Sequence, residues 1–189
     1  MIRWVVLFIL LSCFSQAAIN YKTVASAGET TFVAKGYPSA IQIKGQSPTP
    51  SGRLEVVIDT KKAQVKGLFN LDLTTLDTGI GLRDRHMKEK YLETGKFQTA
   101  TLKIDPIDFQ GVVKSGKGPF KGTLNLHGEE KPVSGEYELV VADEKKWTVK
   151  AHFVMKLTDF KIDVPKFSGI TVADEVAVNV ETQLEKAVE

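Results

Sequence analysis

The residues of this chain that could do chemistry sit closest together in "LDTGIGLRDRHMKEKYLE", Leu76 to Glu93, where His86 is flanked by Asp77, Asp84 and Glu89. An imidazole with a carboxylate is a general acid–base pair, so an enzyme of the cell envelope using His86 with Asp77 or Asp84 is one reading. Spacing argues against it. If the stretch is helical, Asp84 and His86 are two apart and their side chains diverge. A nucleophile is also missing, because no serine stands in a Gly-x-Ser-x-Gly elbow and no local motif supplies an oxyanion hole. The expectation is therefore that no residue is catalytic and that the chain is not an enzyme.

The other two histidines read as structural. His127 ends an apolar alternation just before Gly128, where a hydrogen bond that stabilises a turn is the simpler role. His152 falls on the polar parity of its strand and faces solvent. No histidine has a second one at metal-binding spacing, and the single cysteine cannot complete a zinc site. "GKGPFKG", Gly116 to Gly122, lacks the Gly-x-x-x-x-Gly-Lys-Ser/Thr pattern and precedes a strand, so it reads as a glycine-rich turn. Asp105 and Asp108 supply too few oxygens for calcium. Neither a metal nor a cofactor is expected.

The elements that would hold these residues are strands. In "GRLEVVIDT" Leu54, Val56 and Ile58 share one face, and in "AQVKGLFNLDL" Val65, Phe69, Leu71 and Leu73 do. The same period of two places Leu102 with Ile104, Leu124 with Leu126, and Tyr137 with Leu139 and Val141. It sets Trp147, Val149, Ala151, Phe153 and Met155 on one side of their segment, and Val176, Val178 and Val180 on one side of the last. Turn residues separate the runs at "SPTPSG", "SGKGP" and "ADEKK", the last a hairpin. Such spacing predicts an antiparallel sandwich or closed barrel in one domain. The exception is Gly81 to Glu93, where spacings of four predict a short helix with Leu82, Met87 and Tyr91 on a broad apolar side and Gly95 as its stop.

Arg3, the apolar run Trp4 to Leu11 and Ser15-Gln16-Ala17 read as a secretory signal peptide over residues 1–17, cleaved after Ala17 or Ala18. The run falls short of the roughly 20 residues a spanning helix needs, so no transmembrane segment is expected in the mature protein. Cleavage removes Cys13, the only cysteine, unless Leu10-Leu11-Ser12-Cys13 serves instead as a lipoprotein signal with Cys13 acylated. Residues 18–189 then form a thiol-free domain, periplasmic or secreted, whose stability rests on its core. The 25 basic and 23 acidic residues are interleaved without a basic stripe, which argues against a nucleic-acid partner. The sequence leaves the oligomeric state open.

A barrel of about eight strands can enclose one apolar ligand. Its inner face would carry Phe69, Leu71, Leu73, Leu124, Leu126, Phe153 and Met155, and period-two alternation does not distinguish a packed core from a lined cavity. The helix could lay Leu82, Met87 and Tyr91 over one opening, with Arg85, Lys88 and Glu89 in water and His86 on the polar edge. A lipid carrier, an envelope enzyme and a packed interaction protein all remain open on this pattern.

Leu76 to Glu93 resembles the signature of the YceI-like family, a Ser-or-Thr-Leu-Asp-Thr-Gly element followed by Arg-Asp-x-His-Met or Leu. "GTLNLHGEEKPV", Gly122 to Val133, is similar to that family's Gly-x-Leu-Thr-Leu-His-Gly-x-x-Lys-Pro-Val segment, and "VADEVAVNVE" to its final strand. The motifs keep their order from about Gly52 onward. The resemblance implies an exported lipocalin-like antiparallel barrel that binds a polyisoprenoid or similar long-chain amphiphilic lipid and has no catalytic residues. Two segments depart from the family pattern. "KLTDFKI" keeps Asp159 and Phe160 but replaces the usual Asn-Arg and following Gly, and "ETTFVAKGYPSAIQIKG" lacks the early His-Ser pair. A shorter acyl or quinone-like lipid is therefore also compatible.

Overall fold

The computed structural model describes residues 18–38, 41–58, 61–167 and 169–187. The expected signal peptide and Cys13 lie outside the described residues. Strands run in the order β1 (Ala18–Tyr37), β2 (Gln42–Pro48), β3 (Ser51–Ile58), β4 (Lys62–Asp72), β5 (Thr99–Gln110), β6 (Gly116–Leu126), β7 (Glu129–Val141), β8 (Lys146–Lys156), β9 (Lys166–Phe167) and β10 (Ile170–Lys186). Every pairing between them is antiparallel, and β1 pairs with β10 to close the sheet on itself. β2 and β3 pair with successive halves of β1 and share one place in the ring. The result is an eight-stranded closed barrel, one of the two architectures the alternation allows and the one the family resemblance implies.

Two irregularities shape the wall. Between Thr23 and Gly28, β1 advances five residues while β10 advances two, from Leu184 to Thr182, so three extra residues bulge out. An odd excess flips parity, so Tyr21 faces inward before the bulge and Thr30, Phe32 and Ala34 after it. Gly28 sits at φ +149 where a Cβ would lie 2.0 Å from the Glu181 carbonyl oxygen, so no other residue fits there. On the neighbouring strand the bend at Pro48-Thr49-Pro50 divides β2 from β3.

The hairpins follow local chemistry. At the end of β6, His127 (φ 54) and Gly128 (φ 79) alone separate paired Leu126 and Glu129, a two-residue turn with both φ values positive. The ADEKK turn closes through Asp143, whose Oδ1 accepts the amides of Lys145 (2.7 Å) and Lys146 (2.8 Å). Those bonds hold its carboxyl below the ordinary range. The expected turn at "SGKGP" is misplaced, because Gly116, Gly118 and Pro119 are already in β6. The glycine-rich segment is strand because the Tyr137 ring covers Gly118 from β7, within 3.2 Å of where a Cβ would stand. On the outer face cross-strand ion pairs such as Lys66–Glu55 (3.0 Å) and Lys150–Glu181 (3.0 Å) account for the interleaved charges.

One end of the barrel is filled and the other is not. At the end that holds Ala18 and Lys146, Tyr21 stacks on Trp147 with centroids 4.0 Å apart, and Leu54, Val56, Val65, Leu139 and Leu184 pack round them. At the opposite end, between β4 and β5, helix α1 (Gly81–His86) runs into a wider π-turn at Met87–Tyr91. Glu93, at φ 45, ends the helical stretch; Gly95, the expected stop, lies beyond it in a following turn. Among the described residues no helix is long and apolar enough to cross a membrane.

Candidate functional site

A six-residue helix is too short to hold its own geometry, so side chains must pin it. Asp72 starts the process by accepting the amide (2.9 Å) and hydroxyl (2.7 Å) of Thr74. Asp77 then joins the free edge of β2, exchanging both backbone bonds with Gln46 at 2.8 Å, while its Oδ1 accepts the Gly79 amide at 2.7 Å. Thr78 is the hub. Its amide donates to Asp84 Oδ1 at 2.8 Å, its hydroxyl donates to the same oxygen, and Arg83 donates to it from Nε (2.8 Å, to Oγ1) and Nη2 (2.9 Å, to the carbonyl). Burial raises the Asp84 carboxyl, but the two bonds from Thr78, with the Asp77 side chain and the Lys88 charge, together hold the group below its ordinary value. The carboxylates that made this stretch look catalytic thus serve as clasps for the turn.

The clasps seat the helix over a cavity of about 530 Å³. All ten residues expected inside the barrel or on its lid line this space. Phe69, Leu71 and Leu73 come from β4 and the turn after it, and Leu124 and Leu126 from β6. Phe153 and Met155 come from β8, and Leu82, Met87 and Tyr91 from the helical segment. Leu73, Leu124, Leu126 and Phe153 are also buried in the barrel's core cluster, whereas Phe69, Leu71 and Met155 point inward yet stay only half-buried. An inward apolar side chain keeps exposure only when empty space adjoins it, which separates a lined cavity from a packed core.

Residue size explains where that space lies. Toward the floor the inward positions are Tyr21, Trp147, Leu54 and Leu184; above it the small residues Ala34, Ala100 and Ala151 line the cavity. The mouth opens where Ile41, Ile80 and Leu82 line the cavity and are also solvent-exposed, at 37 %, 53 % and 46 %. Polar groups in the wall are few: Thr30 and Thr182 midway, Tyr137, whose phenol is pushed up by burial, and Thr78, Arg83, His86 and Tyr91 at the helix.

The lid departs from expectation at His86. It is half-buried and lines the cavity, because it lies one helical turn after Leu82 on the same side, so it is not part of the outer polar edge. Arg85 and Glu89 are exposed as expected, and Lys88 is half-buried. His127 fills the turn-stabilising role, with Nδ1 3.1 Å from the Phe160 carbonyl, Nε2 2.8 Å from Glu93 and its ring 4.5 Å from that of Phe97. His152 is exposed and bonds Asn179 across the β8–β10 pair at 2.8 Å. Among the described residues no group of three or more His, Cys, Asp or Glu gathers as a metal would need.

Sequence reasoning overlooked Phe32, Ile43, Arg83 and His86 as lining residues. For Phe32 the parity flip at the β1 bulge hid the signal, and for Ile43 the bend at Pro48-Thr49-Pro50 that cuts β2 off from β3. For Arg83 and His86 a signal was present, since they share helical faces with Met87 and Leu82.

The fold recurs in solved proteins. A polyisoprenoid binding domain from Saccharophagus degradans, implicated in plant cell wall breakdown, superposes with a TM-score of 0.65 at 20% identity over 88% of this chain and 98% of that one. Burkholderia cenocepacia BcnA gives 0.65 at 17% identity, covering 82% and 95%. Among sequence relatives, the UPF0312 protein VPA0850 of Vibrio parahaemolyticus is 35% identical over 129 residues. That match spans 65% of this chain and 66% of the relative, just under two thirds of its length. The YceI-like domain matches residues 21–184, from the inward Tyr21 of β1 to the inward Leu184 of β10, and the chain belongs to the YceI-like family.

Proposed function

We propose that this protein is an exported carrier that holds a polyisoprenoid or similar long-chain amphiphilic lipid inside its barrel, for transport or sequestration. The observation that carries the reading is the apolar cavity of about 530 Å³, closed at the Tyr21–Trp147 end and open beside the helix. Each chain methylene moved from water into such a space contributes about 0.8 kcal/mol, so a long tail binds tightly without any specific contact. The ten lining residues named above are the proposed chain contacts. The membership in a family with a polyisoprenoid-binding structural neighbour supports the same reading. Export rests on the signal-like residues 1–17 and places the carrier in the periplasm or outside the cell.

The test is gentle purification from the native envelope, native mass spectrometry, and organic extraction of the same sample. The expected result is a lipid-bearing mass whose adduct is recovered as an amphiphile, on a chain beginning at Ala18 or Ile19. A clean apo mass with no lipid recovered, and no uptake of added prenyl lipids, would sink the carrier. A chain retaining residues 1–17 would sink export by cleavage, and an acylated Cys13 at the N-terminus would replace the soluble form with an anchored one.

A further inference from the structure

The apolar side chains that this protein leaves in water are gathered at one place. Among the described residues eight large ones are exposed, and half of them stand round the mouth. Ile41, Ile80 and Leu82 line the opening itself. Tyr37, the most exposed at 74 %, shares their end of the β1–β2 hairpin, where the Gly36 amide bonds the Ile41 carbonyl at 2.7 Å. The other four divide between the floor turns, at Ile58 and Val112, and the outer wall, at Val140 and Val154. Apolar side chains collected round one opening mark a surface that something apolar covers. Charge points to what covers it. Lys35 and Lys44 lie within three residues of Tyr37 and Ile41, Arg85 and Lys90 are exposed on the helical segment, and Lys166 is exposed in β9, its amide 3.3 Å from the Tyr91 hydroxyl. With Arg83 and Lys88 the rim holds seven cations against four carboxylates, Asp77 and Asp84 in the clasp and the exposed Glu89 and Asp163. Among the described residues none of these seven is in an ion pair, whereas Lys66, Lys117, Lys146 and Lys150 on the wall are each paired with a glutamate.

We propose that the mouth of the barrel docks on an anionic bilayer surface, with Tyr37, Ile41, Ile80 and Leu82 entering the acyl boundary and the rim lysines and Arg85 lying against the phosphates. This rests on the carrier reading above, because a water-insoluble chain passes between membrane and cavity without crossing water only if the opening lies on the membrane. A few apolar side chains or a few cations alone hold a protein weakly at such an interface, and the two together add. The closed Tyr21–Trp147 end then points away from the membrane.

The experiment floats the delipidated protein with vesicles of phosphatidylcholine alone and of phosphatidylcholine with equal parts phosphatidylglycerol. The expected result is binding about tenfold tighter to the anionic vesicles, a preference that shrinks at high ionic strength. Tyr37→Ser with Arg85→Ser, neither of which lines the cavity, should weaken vesicle binding about tenfold while titration with geranylgeraniol shows unchanged affinity. Val154→Ser with Lys150→Ser removes one apolar and one cationic side chain from the outer wall instead, and should change neither quantity. No flotation, equal binding to the two compositions, or equal loss in the two double variants overturns the docking surface. A dimer in vesicle-free sedimentation that only Tyr37→Ser with Arg85→Ser dissociates also overturns it, since a second copy then covers the rim. In each of those cases uptake of geranylgeraniol leaves the carrier standing. Vesicle binding by a protein that takes up no prenyl lipid refutes the carrier and keeps the docking surface.

Discussion

Ala151 offers the sharpest distinction between a lined cavity and a core that merely looks hollow. It lies in the middle of β8, paired with Tyr137 and Val180, half-buried and facing the cavity. In a filled core Ala151→Phe would overpack its neighbours and cost about 1–3 kcal/mol of stability. Here the ring enters empty space, so urea unfolding of the delipidated variant should show stability equal to or above wild type. The ring then occupies the path of the lipid. Displacing about four methylenes of chain at ~0.8 kcal/mol each removes about 3 kcal/mol, or roughly 100-fold in affinity. Titration with geranylgeraniol measures the second quantity on the same preparation. Destabilisation by 1 kcal/mol or more would mean that the interior is packed at β8. Unchanged affinity with unchanged stability would mean that the chain does not pass Ala151.

Acid should loosen the lid at Asp84. Its folded-state value lies below the ordinary carboxylate value, so it stabilises the fold above that ordinary value, about 4, and the stabilisation is lost as pH falls through the lower folded value. Asp84→Asn should therefore flatten the acid limb of the unfolding curve below about pH 4, and an unchanged limb would show that Thr78 does not hold the charge. His127→Ala removes contacts to Phe160, Glu93 and Phe97 and leaves φ 54 on a less tolerant residue, so urea unfolding should show a loss of about 1–2 kcal/mol, whereas His127→Asn should recover part of it.

The barrel was legible in sequence wherever the inward positions are large. β3, β4, β6, β7 and β8 show it directly, because leucine, valine or an aromatic holds most of their alternate positions. β1 and β2 did not show it, although β1 is the longest strand. Its inward residues after the bulge include Thr30 and Ala34, β2 offers Gly45 and Ser47, and the bulge and the Pro48–Pro50 bend break each run. Alternation depends on contrast and on constant register, and these two strands lack both. The helix was legible from spacings of four, but its π-turn was not, since the i→i+5 bond of the Leu92 amide to the Met87 carbonyl leaves no separate pattern.

The cavity was hidden for a different reason: parity reports direction, and volume is a sum over side-chain size. The same inward parity carries Trp147 at one end of β8 and Ala151 in the middle, and only the first fills its share of the barrel. Small residues line the cavity above the floor, at Ala34 in β1, Ala100 in β5 and Ala151 in β8. Space is thus concentrated beneath the lid. A barrel with such a void loses packing that a closed core would have, so its lid cannot be held by apolar contact alone. The polar clasp at Asp77, Thr78, Arg83 and Asp84 compensates, tying the helix to its own turn and, through Asp77, to Gln46 of β2. The stretch richest in charge is for that reason the one that borders the most apolar space, and its histidine and arginine face the cavity because the clasp turns that side of the helix inward.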